Sequence, residues 1–104
     1  MAKHSRGIAA VKILDVAILL AAAAYVFQTQ FLNVGMAFAL GVMLLGALVA
    51  LSKFLGEKTG LIFGTGLVFS GAFYFTNSAA LTDIPFAAIF LLFVIPAAIV
   101  GLVA

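Results

Sequence analysis

The chain contains no cysteine, no tryptophan and a single histidine, and only 8% of its 104 residues are charged. Without cysteine it can form neither a disulfide nor a thiolate metal site, and one histidine cannot make a multi-histidine metal site. A soluble domain has about 25% charged residues, so a water-soluble globule of this composition could not cover its surface. The net charge of +2 is too small and too scattered to indicate a nucleic-acid-binding surface.

Apolar residues, by contrast, make up 67% of the chain and fall into four stretches, at about 8–27, 35–55, 60–76 and 84–104. A membrane-spanning helix needs about 20 apolar residues, with a range of ~17–25. The alternating pattern of a membrane barrel is absent, and helices are the other form that spans lipid. We therefore predict an all-α fold, in which residues 1–104 form a single membrane domain of four transmembrane helices arranged as two helical hairpins.

The basic residues give the expected orientation. In a four-helix arrangement Lys3, Arg6 and Lys12 lie on the same side as the loop residues Lys53 and Lys58. The positive-inside rule then places both termini in the cytoplasm. A cleaved signal peptide is the alternative for the first stretch, but an acidic residue inside its apolar part is unusual for such a signal.

Small residues recur at helical spacing in the second and third stretches. Small-xxx-small faces allow helix backbones to approach closely in lipid, so these faces are expected either to pack one hairpin within a subunit or to pack between subunits of an oligomer. The candidate packing residues are Gly35, Ala39, Gly46, Ala50, Gly60, Gly64 and Gly71.

Asp15 is the acidic residue of the first apolar stretch, about 10 Å along the helix from its start at 1.5 Å per residue. An ionisable residue inside a membrane is a functional candidate, here a proton or cation site. Two structural roles compete with this interpretation. Asp15 could form a neutral pair with Lys12, one helical turn away, or a polar contact to another helix.

Nothing in the sequence indicates catalysis. The serines have no histidine or lysine placed to activate them, and the GTG at 64–66 follows no strand and is not a phosphate-binding loop. We therefore expect a protein that is not an enzyme, with no cofactor and no metal site.

The stretch GVMLLGALVALSKFLGEKTGLIFGTGLVFSGAF, within residues 35–75, resembles the conjugative pilins of type IV secretion systems. Those proteins are two apolar helices joined by a short basic loop, here with Lys53 and Lys58, and the second helix is rich in glycine. The resemblance implies a loop that faces the lumen of a pilus, and lipid packed between subunits.

Two further resemblances are carried by other residues. The two prolines of IPFAAIFLLFVIPA look like those in the last helix of the membrane-type capsid proteins of archaeal spindle-shaped viruses. Four membrane-spanning helices with Asp15 in the first are similar to the small multidrug resistance transporters, which have an acidic residue there.

The function expected from these observations is non-catalytic. We predict a structural subunit that packs with copies of itself or with other small membrane subunits, and with lipid, in a pilus, a virion shell or a membrane complex. The alternatives are a small proton-coupled transporter that uses Asp15, and an accessory subunit of a larger membrane enzyme. As a pilus or virion subunit, the chain would belong to an extracellular, lipid-containing filament or virion.

Overall fold

The computed structural model describes residues 2–52, 56–77 and 85–103, except for the side chains of residues 2–6 and 57. These residues form four α-helices and no strand, which confirms the predicted fold class. Each helix is long and apolar enough to cross a membrane. The helices are α1 (Ala2–Thr29), α2 (Val34–Leu51), α3 (Glu57–Thr76) and α4 (Phe86–Val103).

Three of the helix ends have local signals that explain their positions. Gln30, which follows α1, has a left-handed φ of 55°, and its N–H bonds the carbonyl of Val26 at 2.8 Å. Asn33 begins α2 as its N-cap, because its Oδ1 accepts from the N–H of Met36 at 2.7 Å. Gly56 precedes α3 with a φ of 90°, a conformation that favours glycine.

Three predicted boundaries differ clearly from the structure, and one of them is the start of the third helix, which was expected at residue 60 but lies at Glu57. The second helix was expected to continue to residue 55, but Ser52 is extended and α2 ends at Leu51. The first helix was expected to begin at residue 8, but α1 already begins at Ala2, because a polar, basic sequence can be helical before the apolar part begins. The predicted α4 ends, 84 and 104, lie outside the described residues; α4 follows Pro85 directly and continues through Pro96.

The helices alternate in direction, and the most extensive contacts are between α2 and α3, followed by those between α3 and α4. Helix α1 packs against α2 and α3 over a smaller surface, and it touches α4 least. Two apolar clusters fill the interior. The first contains Ile8, Val11, Ala50 and Leu61. The second contains Met36, Ala39, Met43 and Phe75.

Candidate functional site: a buried polar pair between two apolar clusters

Asp15 lies inside the bundle, with no exposed surface. It shares one face of α1 with Val11, four residues before it, and with Ile18 and Ala22, which follow at helical spacing. Val11 belongs to the first apolar cluster, whereas Ile18 and Ala22 pack against the second. The carboxyl group therefore lies between two apolar regions of the interior.

The partner of Asp15 is a threonine on α3. The Thr65 hydroxyl donates a hydrogen bond of 2.9 Å to Asp15 Oδ2, and Thr65 is itself 1% exposed. The other carboxyl oxygen, Oδ1, is buried and has no hydrogen-bond partner among the described residues. Burying a polar group without a hydrogen bond is costly, and burying an unpaired charge is far more so. Asp15 thus lies in the interior with one carboxyl oxygen bonded and the other without a described partner.

The expected pair between Asp15 and Lys12 is not the arrangement found. Asp15 is turned toward α3, and the hydrogen bond that it makes is to Thr65. Lys12 lies one turn nearer the start of α1 and is half-buried, a position from which a flexible lysine side chain reaches the membrane surface. The polar contact to another helix, the second of the two structural roles expected for Asp15, is the one that the structure contains.

The small residues of α2 and α3 meet within one chain. A Cβ atom added to Gly46 would lie 2.7 Å from the carbonyl oxygen of Gly64, and one added to Gly64 would lie 2.5 Å from that of Gly46 and 2.6 Å from Cβ of Ala50. Real Cβ atoms are not found this close to backbone atoms. The two helices therefore touch backbone to backbone at Gly46 and Gly64.

The same helix pair brings most of the other candidate packing residues together. A Cβ on Gly71 would lie 3.2 Å from the carbonyl oxygen of Ala39, and one on Gly60 would lie 3.0 Å from that of Val49. Gly35 is half-buried in the first turn of α2. The small faces are thus used for packing inside the subunit, which was one of the two expected arrangements.

The basic loop is only partly described. Lys53 lies outside the described residues. Lys58 is in the first turn of α3, and its Nζ donates to the carbonyl oxygen of Leu102 at 3.4 Å. This contact places a positive charge beside the last turn of α4, where it complements the negative end of the helix dipole.

Thr65 was not among the candidate residues expected from the sequence. Its signal was present, since a hydroxyl in the middle of an apolar helix often bonds a polar group on a neighbouring helix. Choosing between Thr65 and Ser70 required the register between α1 and α3. Ser70 is also buried, but its hydroxyl donates to the carbonyl oxygens of Gly66 and Leu67 in its own helix.

The site offers few ligands for a cation, since the described partner of the Asp15 carboxyl group is the Thr65 hydroxyl. Among the described residues, no group of three or more histidine, cysteine, aspartate or glutamate side chains could hold a metal ion. Comparisons of the chain with protein-family models, with curated proteins and with solved structures gave no match.

Proposed function

We propose that the chain is a non-catalytic integral membrane subunit, with both termini in the cytoplasm before assembly, that packs with copies of itself or with other small membrane proteins and lipid. The assembly is a pilus, a virion shell or a membrane complex. The observation that carries the proposal is the division between an apolar exterior and an interior in which Asp15 bonds Thr65 and Ser70 bonds its own helix, with Asp15 Oδ1 as the exception.

The exterior of α4 illustrates this division. Leu91, Leu92, Ile95 and Ile99 are between 59% and 66% exposed. Such a surface is stable only against lipid or against other apolar helices. Inside, Asp15 bonds Thr65, and Ser70 bonds its own helix. These contacts within the bundle support a structural role for the polar side chains.

The surface offered for self-association is on α1. The glycine faces of α2 and α3 are occupied by each other, so they are not free for a second subunit. Helix α1 carries exposed alanines that lie within about 60° of one another at 100° per residue. Small residues let helices approach closely in lipid. These alanines are Ala10, Ala17 and Ala24.

Cysteine cross-linking tests this surface, because the natural chain has no cysteine. Most homo-oligomers are symmetric, and across a two-fold axis the same residue of two copies can meet. We expect Ala17→Cys to form disulfide-linked dimers on mild oxidation in native membranes. Ala23→Cys, exposed on a different face of α1, is the matched control. Equal cross-linking at both positions, or none at Ala17, would contradict the proposed α1 interface.

A second candidate function is a proton-coupled transporter, and one observation favours it. Asp15 Oδ1 has no hydrogen-bond partner among the described residues although the carboxyl group is fully buried. Such a group can exchange a proton when a substrate or a conformational change brings a new partner.

Proton release from purified protein separates the two functions. A transporter of the multidrug type is expected to release protons when a lipophilic cation is added, and Asp15→Asn is expected to abolish the release, because an amide cannot give up a proton in this range. A structural subunit is expected to release none, and its Asp15→Asn variant is expected to assemble normally.

A further inference from the structure

A cavity of about 800 Å³ lies between α1, α2 and α3. Its walls are apolar and include Ile18 and Ala22 of α1, Met36 of α2, and Ala72 and Phe75 of α3. The volume is within the range of about 300–1,000 Å³ that is typical of small-molecule sites. The walls belong to helix segments that are apolar enough to span a membrane, so the occupant has to be apolar over most of its length.

Polar side chains line the same cavity where the three helices end or begin. Tyr25 is in the last turn of α1, Asn33 caps the start of α2, and Thr76 and Asn77 are at the end of α3. Because these positions are at the ends of the apolar segments, they correspond to the depth of the lipid head groups. The cavity is therefore apolar along its walls and polar at one end, which is the polarity of a lipid molecule.

The charge of the cavity limits the occupant further. None of the described residues that line it is charged, and Asp15 is not among them. Ile18, which lines the cavity, is three residues from Asp15 and packs against the second apolar cluster. The occupant thus has no need of a positive charge to pair with Asp15, which distinguishes this site from one for a lipophilic cation.

We propose that the cavity binds one acyl chain of a bilayer lipid, with the uncharged ester region of that lipid beside the polar residues at the end of the cavity. The acyl chain fills the space between α1 and the α2–α3 pair, where the packing of the helices leaves a gap. The inference rests on the proposed membrane location, but not on self-association of the subunit.

Two buried residues provide a specific readout. Met36 and Phe75 are only 5% and 9% exposed, and both line the cavity. A lipid that merely surrounds the protein meets exposed side chains such as Leu92, which is 66% exposed. A lipid inside the cavity meets Met36 and Phe75. Photo-crosslinking from the acyl chain can therefore distinguish the two positions.

The experiment uses the full chain in phosphatidylcholine vesicles in which one acyl chain carries a diazirine close to its ester, because Met36 and Phe75 lie within one helical turn of the polar end of the cavity. After irradiation and digestion, the adducts are mapped by mass spectrometry, and lipid adducts are counted on the monomer. We expect adducts at Met36 and Phe75 in addition to those at Leu92, with one cavity lipid per monomer. Counting on the monomer makes the result independent of assembly, so a failure here leaves the proposed subunit function standing.

A variant that fills the cavity provides the decisive comparison. Ala21 lines the cavity, so Ala21→Phe is expected to place its ring in the cavity and to reduce labelling at Met36 and Phe75 to background. Ala23→Phe, on another face of the same helix, is expected to leave that labelling unchanged. Labelling at Leu92 and the helical circular dichroism signal report that each variant is folded and inserted.

Two results would overturn the proposal. In the first, the parent shows labelling at Leu92 but not at Met36 or Phe75, which would mean that lipid only surrounds the protein. In the second, Ala21→Phe keeps the parent's labelling at Met36 and Phe75, or Ala23→Phe loses it equally. If Ala21→Phe loses both the helical signal and the labelling at Leu92, that variant is not folded in the membrane. The parent's labelling at Met36 and Phe75 then decides the proposal alone.

Discussion

Thr65 of α3 donates a hydrogen bond of 2.9 Å to Asp15 of α1, across 50 residues of sequence and between two fully buried side chains. Tyr25 and Phe75, also 50 residues apart, meet edge to face with their ring centroids separated by 5.9 Å. The two contacts lie at different heights of the same helix pair. Together they fix the register of α1, a helix that packs over a smaller surface than α2 and α3 do.

The first prediction concerns this hydrogen bond. Thr65→Val keeps the shape of the side chain but removes the donor, which leaves a buried carboxyl group with no described partner. We expect the free energy of unfolding to fall by about 1 kcal/mol, since interhelical hydrogen bonds in membranes are worth about 0.6 kcal/mol on average and at most ~1.7 kcal/mol. Reversible unfolding in mixed detergent micelles measures the change.

Ser70→Ala is the matched control for Thr65→Val. Ser70 is equally buried, but its hydroxyl bonds carbonyl groups of its own helix, and those carbonyls keep their helical partners when the hydroxyl is removed. We expect a smaller loss than for Thr65→Val. The single variant Asp15→Asn is expected to keep most of the parent's free energy of unfolding, because the new amide oxygen can still accept a hydrogen bond from Thr65. Equal losses in Thr65→Val and Ser70→Ala would mean that the pair contributes nothing specific.

The existence of the four helices could be predicted from the sequence, whereas the partner of Asp15 could not. Apolar runs of sufficient length have few stable forms in lipid, so composition determines the helix count. The partner of Asp15 depends on the rotation of α1 relative to α3. The sequence does not determine this rotation, because several faces of each helix are similarly apolar and could form the contact. The end of α2 was placed too late because Phe54 and Leu55 are apolar, although Ser52 and Lys53 interrupt the apolar run and Ser52 is extended.

The second prediction concerns the contact between α2 and α3. In Gly64→Ala the new methyl group would meet the carbonyl oxygen of Gly46 and the backbone nitrogen of Ala50. Backbone atoms cannot rotate away, so the helices must separate. Overpacking of this kind costs about 1–3 kcal/mol, and we expect a loss of this size in the free energy of unfolding.

Gly41→Ala is the control for Gly64→Ala, because a Cβ added to Gly41 has no atom within 4 Å. Alanine is a better helix former than glycine by about 1 kcal/mol, so this variant is expected to be as stable as the parent or slightly more stable. The account of the α2–α3 contact is wrong if Gly41→Ala and Gly64→Ala change the stability by the same amount.

The spacing of small residues was sufficient to select Gly46, Gly64 and Gly71, but it could not show which helix each one faces. Gly66 lies on the same helix as Gly64, yet it faces α4, where an added Cβ would lie 3.3 Å from the ring of Phe90. A glycine on either face of α3 allows close packing, and only the three-dimensional arrangement assigns each one to its neighbour.

The third prediction concerns orientation. Ser52 follows α2 and Gln30 follows α1, so they lie at opposite ends of α2, and both are exposed. If both termini are cytoplasmic, a membrane-impermeant thiol reagent added to intact cells should label Gln30→Cys but not Ser52→Cys. After the membrane is permeabilised, both should react. Labelling of Ser52→Cys in intact cells would reverse the proposed orientation.

The central claim is that the chain is a building unit of a lipid-containing assembly. Electron microscopy of detergent-free particles, prepared from membranes that contain the chain as their main protein, tests this claim most directly. The account predicts ordered filaments, shells or arrays that contain lipid and are lost or disordered when Ala17 is replaced by leucine on the exposed alanine face of α1. Isolated monomers or dimers, dispersed in bilayers at every ratio of protein to lipid, would contradict it.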